Sequence, residues 1–369
     1  MRSARYAAAA AVLLTLAGCG GSSSDGRGPT PSADRSPTSS TPTTTPPTPP
    51  VTTGHSSGTA EPTSTSLDWQ PIPGPVRDSV TTGGGWTLTV KGNGGSWSLD
   101  GPQTSTGAGT SGFRVSDALL DADWAVVVLQ DRTEQQPGRA QVTDLATGRS
   151  FAIDGRSDVP TTNGGTWALD GGHLLHATVS KGRYCVADVD LATRTSTLGW
   201  CAPRRTGFNG AHLTPGGGSV LAFDSGRPSC RTLLTLDGTQ AAPFADVPDC
   251  SAWDGLRTED GAVWSVIPNE HRIEQAHFYA DSGGERSDLG PGTAGTLAWC
   301  ADAAWFVRDP QTEGDPAALM RWSATDGLSV AYESPAGRAF LSAPRCGGDA
   351  ITVTAMAEAG DEQVTAALS

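Results

Sequence analysis

The residue types that could do chemistry are few and scattered. His173 and His176 are the only close histidine pair. They flank Leu174-Leu175 in a strand-like run, and an odd spacing in a strand points side chains to opposite faces. They cannot chelate one ion and read as packing or solvent-facing groups. Asp188-Val189-Asp190 begins like a calcium loop but lacks the third ligand and the glycine. Gly290-Pro291-Gly292-Thr293-Ala294-Gly295 and Gly107-Ala108-Gly109-Thr110-Ser111-Gly112 match Gly-x-Gly-x-x-Gly. Each leads into a strand instead of a helix, so no helix N-terminus faces a phosphate there. Neither a Gly-x-Ser-x-Gly elbow nor His-Glu-x-x-His occurs. No titratable groups are seen to converge, so no catalytic residue, cofactor or metal ligand is expected, and a non-catalytic protein is the preferred reading.

Two further sets of side chains need a scaffold before they can be interpreted. Arg132, Arg183, Arg227, Arg272 and Arg308 recur along the chain, and so do Trp124, Trp264 and Trp305. Six cysteines also follow Cys19: Cys185, Cys201, Cys230, Cys250, Cys300 and Cys346.

The scaffold shows in a repeated strand–turn–strand pattern. Leu213-Thr214-Pro215-Gly216-Gly217-Gly218-Ser219-Val220-Leu221-Ala222-Phe223 reads as a strand end, a Gly-rich turn and a returning apolar strand. The same shape is marked at Asp121, Asp170, Gly216, Asp260, Ala301 and Gly347, at steps of 49, 46, 44, 41 and 46 residues. A period of about 45 residues with several short strands is the sign of a β-propeller. The expected fold is therefore all-β, a six-bladed propeller, with seven blades as the alternative. Each blade has strands a to d from axis to rim, and the turn just described joins a to b. Strand b, as in Ala125-Val126-Val127-Val128-Leu129, is continuously apolar, as a strand buried on both faces should be. The sixth repeat lacks strand d. The hairpin Trp86–Val90 and Ser96–Asp100 offers strands to close the ring, one more than the gap requires.

On this scaffold the recurring tryptophans start strand b and read as blade-to-blade packing. The arginines fall in the b–c connections and form a candidate binding face, either as solvated loops or as a ring able to grip carboxylates. Cys185 and Cys201 lie opposite each other across one c–d hairpin, and Cys230 and Cys250 flank the next. Cys300 and Cys346 occupy equivalent a–b positions in adjacent blades, close enough to bond only near the axis. The expected disulfides are Cys185–Cys201, Cys230–Cys250 and Cys300–Cys346, with free thiols or metal ligation as the alternative.

The Leu213–Phe223 stretch resembles the WD40-like repeat of TolB-type propellers, as does the turn Asp144-Leu145-Ala146-Thr147-Gly148-Arg149. The resemblance covers roughly residues 113–369 and is good only in the third repeat. Pro215 has no counterpart in the other repeats. The resemblance implies a protein-binding scaffold of the cell envelope.

Residues 1–18 carry Arg2 and Arg5, an apolar run from Ala7 to Leu14, and small residues, the layout of a secretory signal. Leu16-Ala17-Gly18-Cys19 resembles the lipobox of bacterial lipoproteins, which implies acylation at Cys19 and attachment to the membrane. The alternative is an ordinary signal peptide with an incidental cysteine. Residues 19–66 read as a disordered tether: within Pro29–Pro50, 19 of 22 residues are Ser, Thr or Pro, too little apolar surface to offset chain entropy. Residues 67–369 are then the propeller domain. A net charge of −14 disfavours nucleic acid as a partner. The sequence thus points to a lipid-anchored, extracytoplasmic, non-catalytic propeller that binds a protein or envelope component. The alternative is a propeller hydrolase or lyase acting on a peptide or saccharide at the channel mouth.

Overall fold

The computed structural model describes residues 59–335 and 339–368. Cys19, the signal segment and the tether up to residue 58 lie outside them. Among the described residues no helix is long and apolar enough to cross a membrane. The one helical element among the described residues is a 3-10 turn at Ile273–Gln275.

Seven antiparallel sheets follow one another along the chain. The blade count corrects the expected six. Blade 1 is Ser79–Gly83, Trp86–Val90, Ser96–Asp100 and Ser105–Ala108; blade 2 runs from Phe113–Leu120 to Ser150–Ile153. Blades 3, 4 and 5 begin with inner strands Trp167–Asp170, Gly207–Thr214 and Ala252–Arg257. Blades 6 and 7 begin with Ala298–Cys300 and with the broken inner strand Ala339–Leu341 plus Arg345–Cys346. The supposed surplus hairpin is the middle of a complete blade. Its inner strand, Ser-Val-Thr-Thr-Gly, and outer strand, Ser-Thr-Gly-Ala, are too polar and too short to stand out as buried strands.

The strand missing from the last blade comes from further upstream. Gln70–Pro71 pairs antiparallel with Glu362–Ala367. Before that, Thr63–Ser64 adds in parallel to the outer strand Gly327–Glu333 of blade 6, and Thr59 bridges Asp288 of blade 5. Residues 59–66, placed in the tether by composition, thus run along the rims of blades 5 and 6, and with Gln70–Pro71 on blade 7 they form a strap across three blades. Trp69 pins it, donating from Nε1 to the Ala331 carbonyl at 2.8 Å and packing on Tyr332.

Burial between blades holds the ring. Strand b of blade 6, Ala303–Arg308, is fully enclosed from Ala303 to Val307, and Trp264 and Trp305 are buried where blades meet. Among the described residues six apolar clusters join successive blades, from 1–2 to 6–7. The seventh seam, blade 7 against blade 1, is polar. Thr82 bonds Thr365 at 2.6 Å, Arg345 donates to the Val80 carbonyl at 2.8 Å, and Gln363 donates to the Asp78 carbonyl at 3.2 Å.

The three disulfides have the expected partners. Cys185–Cys201 spans directly paired positions within blade 3, Cys230–Cys250 braces blade 4, and Cys300–Cys346 ties the inner strands of blades 6 and 7.

Candidate functional site: the channel mouth and its flanking clefts

In an up-and-down blade, the a–b and c–d turns share one face of the disc and the b–c connections the other. The a–b turns crowd around the axis, so residues at one position of every repeat become neighbours. Several are acidic: Asp121, Asp170, Asp260, Asp302 and Asp349. In blade 6 the turn residues Ala301 and Asp302 take left-handed backbone angles, φ 45° and 55°. That is a hairpin geometry usually given to Asn-Gly or Gly-Gly. It carries Asp302 to the channel mouth.

Three cavities open on this face and share Pro215. A channel of about 540 Å³ is lined by the inner strands and by Asp121, Asp170 and Asp302 at its mouth. A cleft of about 630 Å³ lies between blades 3 and 4, with Asp170, His173 and Asp188 on its wall. A smaller pocket of about 200 Å³ between blades 5 and 6 holds Glu259, Asp260, Asp302, Trp299 and Trp322. The cleft stays open because the Gly216-Gly217-Gly218 turn and Gly199 and Gly238 place no side chains there. The motif that marks the repeat in the sequence is therefore the piece of chain on which all three cavities converge.

Inside the channel, β-bulges shape the wall. The inner strands of blades 2, 4 and 5 each shift register, between Val115 and Asp117, between Asn209 and His212, and between Ala252 and Gly255. A bulge re-aims the side chains beside it, and Asp117 and His212 both line the channel. Burial holds the His212 imidazole down at about 4, so it is neutral at physiological pH. Burial also raises Asp117 and Asp121 above the usual carboxylate range. Asp121 Oδ1 accepts from the backbone of Asp123 and Trp124, while its Oδ2 is buried without a partner. Asp170 is pushed up to about 6, first by burial and then by the charges of Asp121 and Asp302. Deeper down, burial lowers Arg345 to about 10, and it is spent on the seam.

Titratable groups therefore do converge, contrary to the reading from sequence. The signal was present: an acidic residue at the same turn of several repeats must gather at the axis once the repeats close into a ring. No hydrogen bond joins His212 to a hydroxyl, thiol or carboxylate among the described residues, and all six described cysteines are in disulfides. No group of three or more His, Cys, Asp or Glu there is placed to hold a metal ion. The arrangement can bind and orient a cation; it contains no assembled nucleophile–base pair.

The five arginines lie on the opposite face, one per blade from 2 to 6. Arg308 is turned inward and donates to the Leu289 and Pro291 carbonyls of blade 5, each at 2.9 Å. Arg272 pairs with Glu274 at 3.4 Å. Arg132, Arg183 and Arg227 are exposed, and none of the five lines the three cavities. His173 pairs with Asp188 at 3.1 Å, while His176 is buried against Trp167, on opposite faces of one strand.

No family model matches the chain, and no curated protein does. Solved structures do. The β-propeller domain of the Trilobed protease from Pyrococcus furiosus matches with a TM-score of 0.53 at 11% identity, over 78% of this chain and 94% of that one. The Pyrococcus horikoshii acylaminoacyl peptidase matches with a TM-score of 0.51 at 8% identity, over 79% of this chain. This chain spans only 51% of that peptidase. The fold is a β-propeller. TolB from Acinetobacter baumannii matches at 12% identity over 79% of this chain and 78% of that one, but its TM-score of 0.38 carries no argument.

Proposed function

We propose that this chain is a non-catalytic β-propeller scaffold, exported and held at the outer face of the cell membrane by an acylated Cys19, which binds a protein or envelope component. One observation carries the binding half of this reading. The channel mouth gathers carboxylates over three joined cavities and holds no nucleophile–base pair among the described residues. The three disulfides support an oxidising, extracytoplasmic setting, since such bonds persist there and are rare in the cytosol. The lipobox-like Leu16-Ala17-Gly18-Cys19 supports the anchor.

The test has two arms. Metabolic labelling with an alkyne-tagged fatty acid should mark the full chain and not Cys19→Ser, which should leave the membrane fraction. Cross-linking on intact cells should then recover a defined partner with the wild-type chain. An unlabelled wild-type chain removes the anchor; no recovered partner removes the scaffold.

A hydrolase or lyase working at the channel mouth is the second reading. The convergence of Asp117, Asp121, Asp170 and His212 favours it, with Asp170 poised near 6. The purified chain cleaving a peptide or acidic oligosaccharide, with the activity lost in Asp170→Asn, would establish it in place of the first.

A further inference from the structure

The three cavities adjoin along shared walls and together make a trough. Pro215 lines all three; Asp170 and Leu213 are common to the cleft and the channel, and Trp299 and Asp302 to the channel and the smaller pocket. We infer that this trough is the docking surface for an extended, positively charged peptide segment of a partner protein. Lys or Arg side chains lie over the mouth carboxylates, and an aliphatic side chain sits in the cleft between blades 3 and 4. The inference rests on the scaffold reading above and specifies the partner.

Charge comes first. The side chains of Asp170, Asp302, Glu259 and Asp260 have no ion pair or hydrogen bond among the described residues, although each lines the trough beside another acid. The basic side chains that reach the trough already have partners. Arg257 donates to the Leu236 carbonyl, His173 pairs with Asp188, and Arg345 is held in the seam. Burial first, then the like charges of Asp121 and Asp302, push Asp170 up, and His173 offsets only part of that push. A partner that supplies cations removes that repulsion; nucleic acid and anionic lipid would add to it.

The apolar and polar walls then select a peptide over a bare amine. Leu175, Val186, Leu213 and Leu236 line the cleft, with Leu198 beside them 39% exposed, a floor for one aliphatic side chain. At the far end Trp322 is only 5% exposed yet lines the pocket, and its indole N–H has no acceptor among the described residues. A peptide brings a carbonyl for that donor, and a polyamine brings none. Indole walls beside carboxylates also suit a guanidinium or ammonium group, through its face contact as well as its charge. An extended backbone alternates side chains to opposite faces, so cationic and apolar positions can be served from one strand-like segment.

The probes are a fluorescent ten-residue peptide of alternating Arg and Leu, the same peptide with Glu for Arg, and spermine as competitor, titrated into the full chain at two salt concentrations. The Arg–Leu peptide is expected to bind at least tenfold tighter than the Glu–Leu peptide, and spermine is expected to compete at least tenfold more weakly. The double variant Asp170→Asn/Asp302→Asn should lose tenfold or more, Leu198→Ala about threefold, and Arg132→Glu on the opposite face nothing. Thermal melts confirm that each variant is folded, and Leu198→Ala decides if the double variant is not. Equal binding of the two peptides, spermine matching the Arg–Leu peptide, or trough variants that bind as wild type would overturn the inference. If cross-linking still recovers a partner through those variants, the trough inference falls and the scaffold reading stands. With no partner recovered at all, it is the scaffold reading that fails.

Discussion

Gly83 and Gly347 meet where the last blade touches the first. A Cβ on Gly83 would stand 1.7 Å from the Gly347 carbonyl oxygen, and one on Gly347 would stand 2.0 Å from the Thr82 oxygen. The obstacle is backbone, which cannot swing aside. Gly83→Ala is therefore expected to cost about 2–3 kcal/mol, as overpacking does, and Gly347→Ala a similar amount. Gly171→Ala meets no atom within 4 Å and bears only its left-handed backbone (φ 56°), so it serves as the milder comparison. Denaturant melts of the three variants check the ranking. Asp170 acts at the same scale through charge. Its folded pKa of about 6 stands above the ordinary 3.8, so the folded ring keeps this proton longer than the unfolded chain does. The stability tied to it is full below the unfolded value and is lost as pH rises through about 6. Asp170→Asn should melt higher than wild type at pH 7.5, with the gap closing towards pH 4. A constant gap across that range would show that the folded ring does not raise the Asp170 pKa.

Among the elements, the strap from Thr59 to Ile72 is the least regular and the most consequential. It contributes two short strands and one bridge, to three different blades. Thr65 adds a hydroxyl contact to Ser329 at 2.7 Å, and Ile72 donates to the Gln363 carbonyl. Side chains add to these few backbone bonds: Leu67 and Trp69 pack on the blade 6–7 core, and the Trp69 ring lies on Tyr332 with its N–H on the Ala331 carbonyl. Trp69→Ala should cost about 2 kcal/mol through the lost half-buried ring and hydrogen bond. Hydrogen exchange should quicken in Gly327–Glu333 and Glu362–Ala367, the two rim strands the strap covers. Unchanged exchange at both would mean the strap is held by other contacts.

At the scale of the ring, one seam differs from six. Elsewhere apolar surface joins the blades; between blade 7 and blade 1 threonine hydroxyls, Gln363 and Arg345 do the joining. Hydrogen bonds add only about 1 kcal/mol each net of their hydration, whereas a buried Leu or Val adds about 1.5–3. The ring should therefore open first there. Native-state exchange is expected to be faster in Ser79–Gly83 than in Phe113–Leu120 or Gly207–Thr214. The Cys300–Cys346 bond ties blade 7 to blade 6, on the other side of that seam. It closes a 46-residue loop, against 16 and 20 for the other two disulfides. Chain entropy alone assigns it about 4 kcal/mol and the others about 3. Cys300→Ser/Cys346→Ser should melt lowest of the three paired variants.

The blades that a one-dimensional reading could see were those with a continuously apolar strand b behind a Gly or Asp turn. Local hydrophobicity writes that pattern directly, because a strand enclosed on both faces has no polar positions. Regular turns also put the cysteines of each pair within reach, so their partners could be read from spacing. Blade 1 escaped because its inner strand answers a polar seam: Thr82 bonds Thr352 and Thr365, 270 and 283 residues away, and nothing nearby in the chain signals that. The strap escaped for a similar reason, since its short polar strands gain partners only from finished blades. The acidic trough belongs to the ring itself. Asp121, Asp170 and Asp302 are each an ordinary turn residue in their own repeat, and they repel one another only after closure has brought those turns around a single axis.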